Sequence, residues 1–210
     1  MAPSRTGTLV ATAAAIAIAA AVGVALHLSA KKRAEERAVE SVLSETTAQL
    51  REALKAPAPG AADKIEARRG IARDWSNVEL ADATEHYLIG AREIFRRRAD
   101  SLRFAEKAAA SRAALAAHMS RAKWRDSSWL HTATQLKRQV QRDHFDLELS
   151  LKAVAELLDM LPDANKRLAS LGQASLLLEE SVRKELRAQV ADEAKRAAGE
   201  LERVTRLQRR

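Results

Sequence analysis

Apolar residues recur every three or four positions through almost all of the chain beyond residue 30, which is the spacing of one face of an α-helix. The 210 residues include only 7 glycines and 4 prolines, and 3% of them are aromatic. A sheet protein of this size needs many turn residues and relies on aromatic and β-branched side chains. The sequence therefore predicts an all-α fold and excludes sandwiches, barrels and doubly wound sheets.

The stretch from Thr8 to Leu28 contains no Asp, Glu, Lys or Arg. As a helix it has a length of about 30 Å, which matches the hydrocarbon core of a bilayer. We therefore predict that residues 1–30 are an uncleaved transmembrane signal-anchor, of the kind found in the bacterial inner membrane. A cleaved signal peptide is the alternative, because Gly23, Ala25 and Ala30 are small residues that resemble a cleavage site.

Positive charge is unequal on the two sides of this stretch. Only Arg5 and the terminal amine precede it. The residues that follow it include Lys31, Lys32, Arg33 and Arg37. Because the more basic flank tends to stay in the cytoplasm, we predict a single-pass protein with residues 31–210 on the cytoplasmic side. The extracytoplasmic orientation remains the alternative, since long domains can be translocated whatever their flanking charge.

Two prolines mark the clearest break in the helical pattern. Pro57 and Pro59 each remove a helical hydrogen-bond donor and disfavour the α conformation in the residue before them. The sequence beyond the anchor is therefore predicted to form three segments. These are a juxtamembrane helix over 31–55, a linker over 56–75 with a short helix that ends near Gly70, and a helical bundle over 76–210.

Three helices are predicted in the bundle, over about 77–121, 128–161 and 163–208. Ser76 and Glu79 fit a capping box before the first helix, and Asp126 or Ser127 is expected to cap the second. Pro162 is expected to end the second helix, and Gly172 to kink the third. Amphipathic helices joined by short turns pack antiparallel, as a bundle or as coiled-coil hairpins.

Heptad series define the expected core. The first helix carries Leu88, Phe95, Leu102, Ala109 and Ala116. The second carries two series, which are Ala133, Val140, Leu147, Val154 and Leu161, and Leu130, Lys137, His144, Leu151 and Leu158. A turn centred near residue 125 places positions that add to about 250 side by side, so that His144 would lie near Glu106.

The sequence contains no motif that indicates catalysis. It has no cysteine, no Gly-rich phosphate loop, no nucleophile elbow and no His-Glu-x-x-His sequence. Carboxylate-bridged metal bundles need Glu-x-x-His pairs, and no histidine of the bundle is preceded by a glutamate at that spacing. We therefore predict a protein that is not an enzyme, with no cofactor and no metal site.

Polar residues interrupt the expected core at Arg98, Lys137 and His144. We interpret them as a polar layer that fixes the register of the helices. A pH-sensitive pair between His144 and Glu106, or a ligand site at the buried cations, is the functional alternative.

A basic face on the first bundle helix consists of Arg92, Arg96, Arg103 and Lys107. Such a stripe can bind phosphate groups, but acidic residues flank it and no aromatic residues interleave with it for base stacking. We interpret it as a solvated face. Trp124 and Trp129 bracket the turn that follows, where packing across the turn is the first interpretation and an interaction hot spot or interfacial belt the second.

A narrow apolar stripe in segment 31–55 is formed by Val39, Leu43, Leu50 and Leu54. Its width is that of a coiled-coil seam, and an anchor would confine it to two dimensions and raise its local concentration. We therefore predict that this segment associates with a second copy. Docking of the stripe onto the chain's own bundle, as the first helix of a four-helix core, is the alternative.

These features predict a single-pass, membrane-anchored scaffold or adaptor that acts by helix–helix interaction. Its partners would be the lipid bilayer and either itself or another helical protein. The alternatives are an extracytoplasmic binding or sensing module and, given the net charge of +8, a membrane-tethered binder of nucleic acid or anionic lipid. The layout resembles the helical sensor domain of bacterial chemoreceptors, without a second span, and single-span coiled-coil adaptors of the bacterial cell envelope.

Overall fold

The computed structural model describes the backbone of residues 5–53, 60–120 and 126–206, and the side chains of residues 24–52, 60–120 and 126–203. Within these ranges the chain forms five α-helices and no strand, which confirms the all-α prediction. The helices are α1 (Arg5–Ala53), α2 (Ala61–Arg73), α3 (Val78–Ser120), α4 (Ser127–Ser170) and α5 (Glu180–Arg206), with a 3-10 turn at Ala174–Leu176 before α5. The chain divides into two compact units after Val42, within α1.

The first unit consists of the part of α1 up to Val42. Its described side chains begin at Val24, so most of the predicted anchor lies outside the described side chains. Residues 24–34 are exposed, whereas Val39 and Val42 are buried. Among the residues that the structure describes, no helix combines the length and the apolar character needed to cross a membrane.

The second unit is built on an antiparallel hairpin of α3 and α4. The Ser150 hydroxyl of α4 donates to the Arg97 carbonyl of α3 at 3.1 Å, and Arg167 binds Asp82 at 2.7 Å. Both pairs have the register expected for a turn near residue 125. Helix α5 runs parallel to α3 and therefore antiparallel to α4, because Arg98 binds Glu193 and, further along both helices, Arg112 binds Glu200. The predicted helical bundle is therefore confirmed.

The buried face of α3 does not follow the predicted heptad. Leu88 and Phe95 are buried, but Leu102 is half-buried, and Ala109 and the later Ala116 are exposed. A seven-residue repeat drifts by about 20° per heptad around a straight helix, so it leaves the core after two repeats. The buried residues of this part of α3 are Arg98, Ser101, Ala108 and Ser111. In α4 the predicted core residue Leu130 is likewise exposed.

The last turns of α1 belong to the second unit. Leu43 and Leu50 are buried, and the Thr47 hydroxyl donates to the Leu176 carbonyl at 2.7 Å. The same hydroxyl oxygen lies 2.9 Å from that of Tyr87, which is fully buried in α3. The unit therefore begins at Leu43 rather than at the predicted residue 76.

Helix α2 lies within the segment predicted as a linker, and it ends at Arg73 rather than near Gly70. Arg68 of α2 binds Glu45 of α1 at 2.7 Å and donates to the Gln49 side chain at 2.8 Å. Ile65 and Ala72 lie about two turns apart on one face of α2, and both are buried. These contacts attach α2 to the end of α1 and make it part of the core.

Helix α4 continues through Pro162 to Ser170, so the prediction that this proline ends the helix is wrong. Proline has no N–H to donate to the carbonyl four residues earlier, which here is that of Leu158. Arg183 of α5 takes the place of the missing donor, because its Nη1 donates to the Leu158 carbonyl at 3.1 Å. Glu180 and Asp159 bind the same guanidinium at 2.7 Å and 3.2 Å and hold it in this position.

The end of α4 is set by Gly172, which has a φ of 83°. The amide of Gln173 donates to the Leu168 carbonyl and that of Gly172 to the Ala169 carbonyl, both at 3.0 Å, in the arrangement of a Schellman motif. Glycine adopts this left-handed conformation without steric cost. Gly172 therefore ends α4 instead of kinking a helix over 163–208, and the last helix begins at Glu180.

Side-chain caps begin the two long helices. The Asn77 carbonyl oxygen accepts from the Leu80 amide at 3.1 Å, so the cap of α3 is Asn77 and not the predicted Ser76. Asp126 caps α4 by accepting from the Trp129 amide at 2.7 Å, as predicted. Each cap satisfies an amide that would otherwise lack a helical partner.

We predict that Pro162 and Arg183 are energetically coupled. Arg183→Leu leaves the buried Leu158 carbonyl without a donor and should lower the free energy of unfolding by about 1–3 kcal/mol. In a Pro162→Ala background the alanine N–H serves that carbonyl, so the same change should cost less, with a coupling of about 0.5–3 kcal/mol. Urea denaturation of the four full-length variants, followed by circular dichroism, measures the cycle.

The control for this cycle is Arg187→Leu. Arg187 binds Asp159 at 2.7 Å but does not contact the Leu158 carbonyl. Its loss should cost the same with proline or alanine at position 162. Equal costs for Arg183→Leu in the two backgrounds would show that α4 does not depend on this contact.

Candidate interaction surface

Among the described side chains, no three His, Asp or Glu residues are grouped so that they could hold a metal ion.

His144 lies in the core of the hairpin and is 1% exposed. Neither ring nitrogen has a hydrogen-bond partner among the described residues. Burial lowers the pKa of His144 because it disfavours the charged ring; Arg112 lowers this pKa further, and Glu200 and Asp143 oppose the shift. Glu106 is exposed and is not among the groups that act on the ring, so the structure does not form the predicted pair.

Arg98 is buried and forms a bidentate ion pair with Glu193 of α5. Its Nη1 and Nη2 lie 2.6 Å and 3.0 Å from the two carboxylate oxygens. This geometry is the strongest that arginine offers a carboxylate, and it links α3 to α5. The hydroxyl of Ser150 on α4 donates to the carbonyl of Arg97, so Arg98 lies level with Ser150. His144 lies about two helical turns before Ser150 on α4. Lys137 lies still earlier on α4 and is half-buried. Arg98, Lys137 and His144 therefore do not share one layer.

Acidic neighbours pair with three of the four cations on the basic face of α3. Arg92 lies 3.4 Å from Glu66, Arg96 lies 3.2 Å from Glu93, and Arg103 lies 2.9 Å from Asp100. The Lys107 ammonium lies 5.7 Å from the centre of the Phe104 ring. These contacts leave few uncompensated cations for a phosphate group, and they fit the interpretation as a solvated face.

Trp129 packs across the turn between α3 and α4. Its ring stacks on that of His118 with centroids 5.1 Å apart and an angle of 17° between the planes. The His118 Nε2 lies 3.1 Å from the Trp129 carbonyl oxygen. The side chain is half-buried by these contacts. Trp124 lies outside the described residues.

The apolar stripe predicted in segment 31–55 is not an open surface. Leu43 and Leu50 are buried in the second unit, and Val39 is also buried. Leu54 lies outside the described residues. For Leu43 and Leu50 the structure therefore favours the alternative, in which this part of the chain packs into its own bundle.

A different apolar surface runs along α4 on the side away from the core. We call it the α4 stripe and define it by Phe145, Leu149 and Met160, which are 57%, 57% and 68% exposed. At about 100° per residue these three positions fall on one face of the helix, roughly opposite the buried Val154. Ala153, which is half-buried, lies between them.

The α4 stripe continues toward α3 as a groove of about 380 Å³. Ile89, Gly90 and Leu157 form its apolar wall next to Met160. Gly90 allows α3 and α4 to approach closely here, since a Cβ at this position would lie 3.3 Å from the Leu161 side chain. Met160 and this wall form one apolar patch, and Phe145 and Leu149 form a second patch about three turns earlier on α4, with the exposed Lys152 and Glu156 between the two.

Charged residues lie at both ends of the α4 stripe and within it. Those that are exposed are Arg138 and Arg142 before the stripe, Lys152 and Glu156 between Leu149 and Met160, and Asp163, Lys166 and Arg167 after it. Asp163 forms an ion pair with Lys166, at 3.6 Å. Within the described part of the chain, Arg138, Arg142 and Glu156 form no ion pair.

The heptad pattern did not predict the α4 stripe, because only the two series expected in the core of α4 were identified. Phe145, Leu149 and Met160 belong to neither series. A bundle of this kind does not bury three rows of large apolar side chains on one helix. The third row in the sequence could therefore have predicted an exposed apolar surface.

No protein-family model, curated protein or solved structure matches this chain.

We predict that His144 makes the fold sensitive to acid. Because the folded pKa is below the ordinary value of 6.5, the unfolded chain binds a proton more readily, and stability should fall as the pH drops below that value. His144→Leu should remove this loss and raise the free energy of unfolding at neutral pH by about 1–3 kcal/mol, because the buried ring nitrogens lack partners. Urea titrations at several pH values measure both effects.

His131→Leu is the matched control, since His131 lies on the same helix and is exposed. It should leave the pH dependence of stability unchanged. An acid dependence that persists in full in His144→Leu would assign the effect to other groups.

Proposed function

We propose that this protein is a membrane-tethered helical adaptor that acts by docking the α4 stripe onto a helix of a protein partner, without catalysis. One observation carries the proposal, namely three large apolar side chains, each more than half exposed, on one face of a long helix. Single exposed apolar residues are common, but several large ones on the same face of one helix favour an interaction site. Partners of such a face are recognised through anchors at helical spacing.

The tether in this proposal is the segment from Thr8 to Leu28. Two observations support it: the segment contains no charged residue, and it lies within α1. The basic residues that follow are exposed, as residues at a membrane surface would be. They support an orientation with residues 31–210 in the cytoplasm, and a reporter fused after Arg210 tests that orientation.

The α4 stripe favours an adaptor over the other two functions considered. A nucleic-acid binder receives little support, because acidic or aromatic neighbours compensate the basic face of α3. A sensing module would need a ligand pocket with convergent polar groups. The α3–α4 groove has an apolar wall of Ile89, Leu157 and Met160, and charged residues also line it. Its position beside the exposed Met160 suits a side chain of a partner helix.

For the tether, we predict that charge within the segment abolishes membrane retention. Ile16→Arg with Ile18→Arg in the full chain should release the protein from membranes, because each arginine near the centre of a span costs about 2.5–3.5 kcal/mol. Retention after alkaline carbonate extraction is the measurement. The control variant carries arginines at Ala34 and Ala48, which are both exposed, and it should remain in the membrane fraction. Release of the unaltered chain by carbonate would contradict the tether.

For the adaptor role, we predict that the α4 stripe contacts protein in the native membrane. A photo-crosslinking amino acid at Leu149 should give a discrete crosslinked species, whereas the same probe at Leu130, exposed on α4 but outside the stripe, should give at least about tenfold less. Mass spectrometry of the species identifies the partner. Absence of any crosslink at Leu149, with the chain intact and folded, would contradict the proposal.

A further inference from the structure

We infer that the last turns of α5, residues 198–206, form a pH-sensitive latch that leaves α4 when His144 takes up a proton. His144 is a buried titratable residue that the adaptor function does not use. Opening of the latch is a local event, distinct from unfolding of the whole second unit. It involves none of the residues of the α4 stripe.

His144 lies on the face of α4 that packs against α5. Leu151, seven residues later on the same face, lines the groove between α4 and α5 together with Ala194 and Ala198. Because α5 runs antiparallel to α4, the part of α5 that lies level with His144 follows the part that lies level with Leu151. The end of α5 therefore covers His144, and its departure opens the ring to water.

The charged groups that act on His144 come from the three helices that meet there. Arg112 of α3 and Glu200 of α5 form an ion pair with each other. Asp143 of α4 accepts from the Gln139 side chain at 3.0 Å. Neither carboxylate binds the ring, whose two nitrogens have no hydrogen-bond partner among the described residues. A charged ring inside the closed structure would therefore have no counterion in contact with it.

Protonation of His144 favours the open form. Burial lowers the pKa of His144, Arg112 lowers it further, and Glu200 and Asp143 oppose the shift. A ring released into water regains the ordinary pKa of 6.5. The open form thus binds a proton more readily than the closed form. Each pH unit below that value favours opening by up to about tenfold, until the closed form is protonated as well.

The latch is weakly attached to the rest of the second unit. Among the described side chains of α5 beyond Val190, only Ala194 and Ala197 are buried. Alanine buries little apolar area. The ion pair between Arg112 and Glu200 is partly exposed, and such pairs contribute little to stability. Few contacts are lost when the latch opens, so local opening precedes unfolding of the unit.

Hydrogen exchange of the full chain in detergent micelles, followed by mass spectrometry, tests the latch. After correction for intrinsic rates, the protection of residues 198–203 should fall by about tenfold when the pH is lowered from about 7.5 to about 5.5. Low concentrations of urea should leave this exchange unchanged, because a local opening exposes little surface. Exchange around Val154 in α4 should accelerate with urea. If residues 198–203 respond to urea as steeply as Val154, they open only with the whole unit and the latch is wrong.

Two variants test whether the pH dependence belongs to His144. His144→Leu and His144→Asn should each abolish the tenfold change, because neither new side chain titrates. Either variant is sufficient if the other does not fold. His131→Leu, at an exposed histidine of the same helix, is the matched control and should keep the full change. A change that persists in a folded His144 variant, or that is absent from the unaltered chain, would overturn the inference.

Discussion

The donation from Arg183 to the Leu158 carbonyl is the contact on which the rest of the second unit depends. It supplies the hydrogen bond that Pro162 cannot make, so α4 remains one helix to Ser170. The extra turns carry Leu168 into the core and place the α4–α5 connection at the end of the bundle where α1 and α2 also pack. Arg183 in turn holds the pKa of Glu180 at about 2, mainly by hydrogen bonding, so the pair stays charged.

Local sequence signals predicted the parts of the fold that depend on local physics. Helical periodicity and the scarcity of turn residues gave the fold class, and the cap at Asp126 gave the start of α4. A turn near residue 125 then fixed the register of the hairpin, because antiparallel helices of nearly equal length leave little choice. The same local signals predicted wrongly that Pro162 ends α4. Its compensating donor, Arg183, lies on another helix, and nothing in the residues around the proline reveals it.

The sequence predicted which polar residues lie in the core but not which residues they pair with. The angular position of Arg98 indicated that it must pair, yet Glu193 lies on a helix whose start was misplaced, so the pair could not be named. His144 was placed in the core, but Glu106 turns to solvent. A strict heptad exaggerated the regularity of α3, because a straight helix drifts away from a seven-residue repeat. The α4 stripe is visible in the sequence as a third apolar row on this helix, but the packing of the other helices decides which of the three rows stays exposed.

The distribution of ion pairs distinguishes the α4 stripe from the rest of the second unit. Most cations of α2 and α3 are matched by acids within the second unit, as in the cluster of Arg69, Arg73 and Glu85. Along the stripe, by contrast, Arg138, Arg142 and Glu156 have no ion-pair partner in the described part of the chain. Charges that have no partner within the described part of the chain and lie beside exposed apolar side chains remain able to pair with opposite charges on a docked helix. Such pairs contribute more to the choice and orientation of a partner than to the affinity for it. The apolar side chains of the stripe would therefore supply the affinity, and the unmatched charges the selectivity.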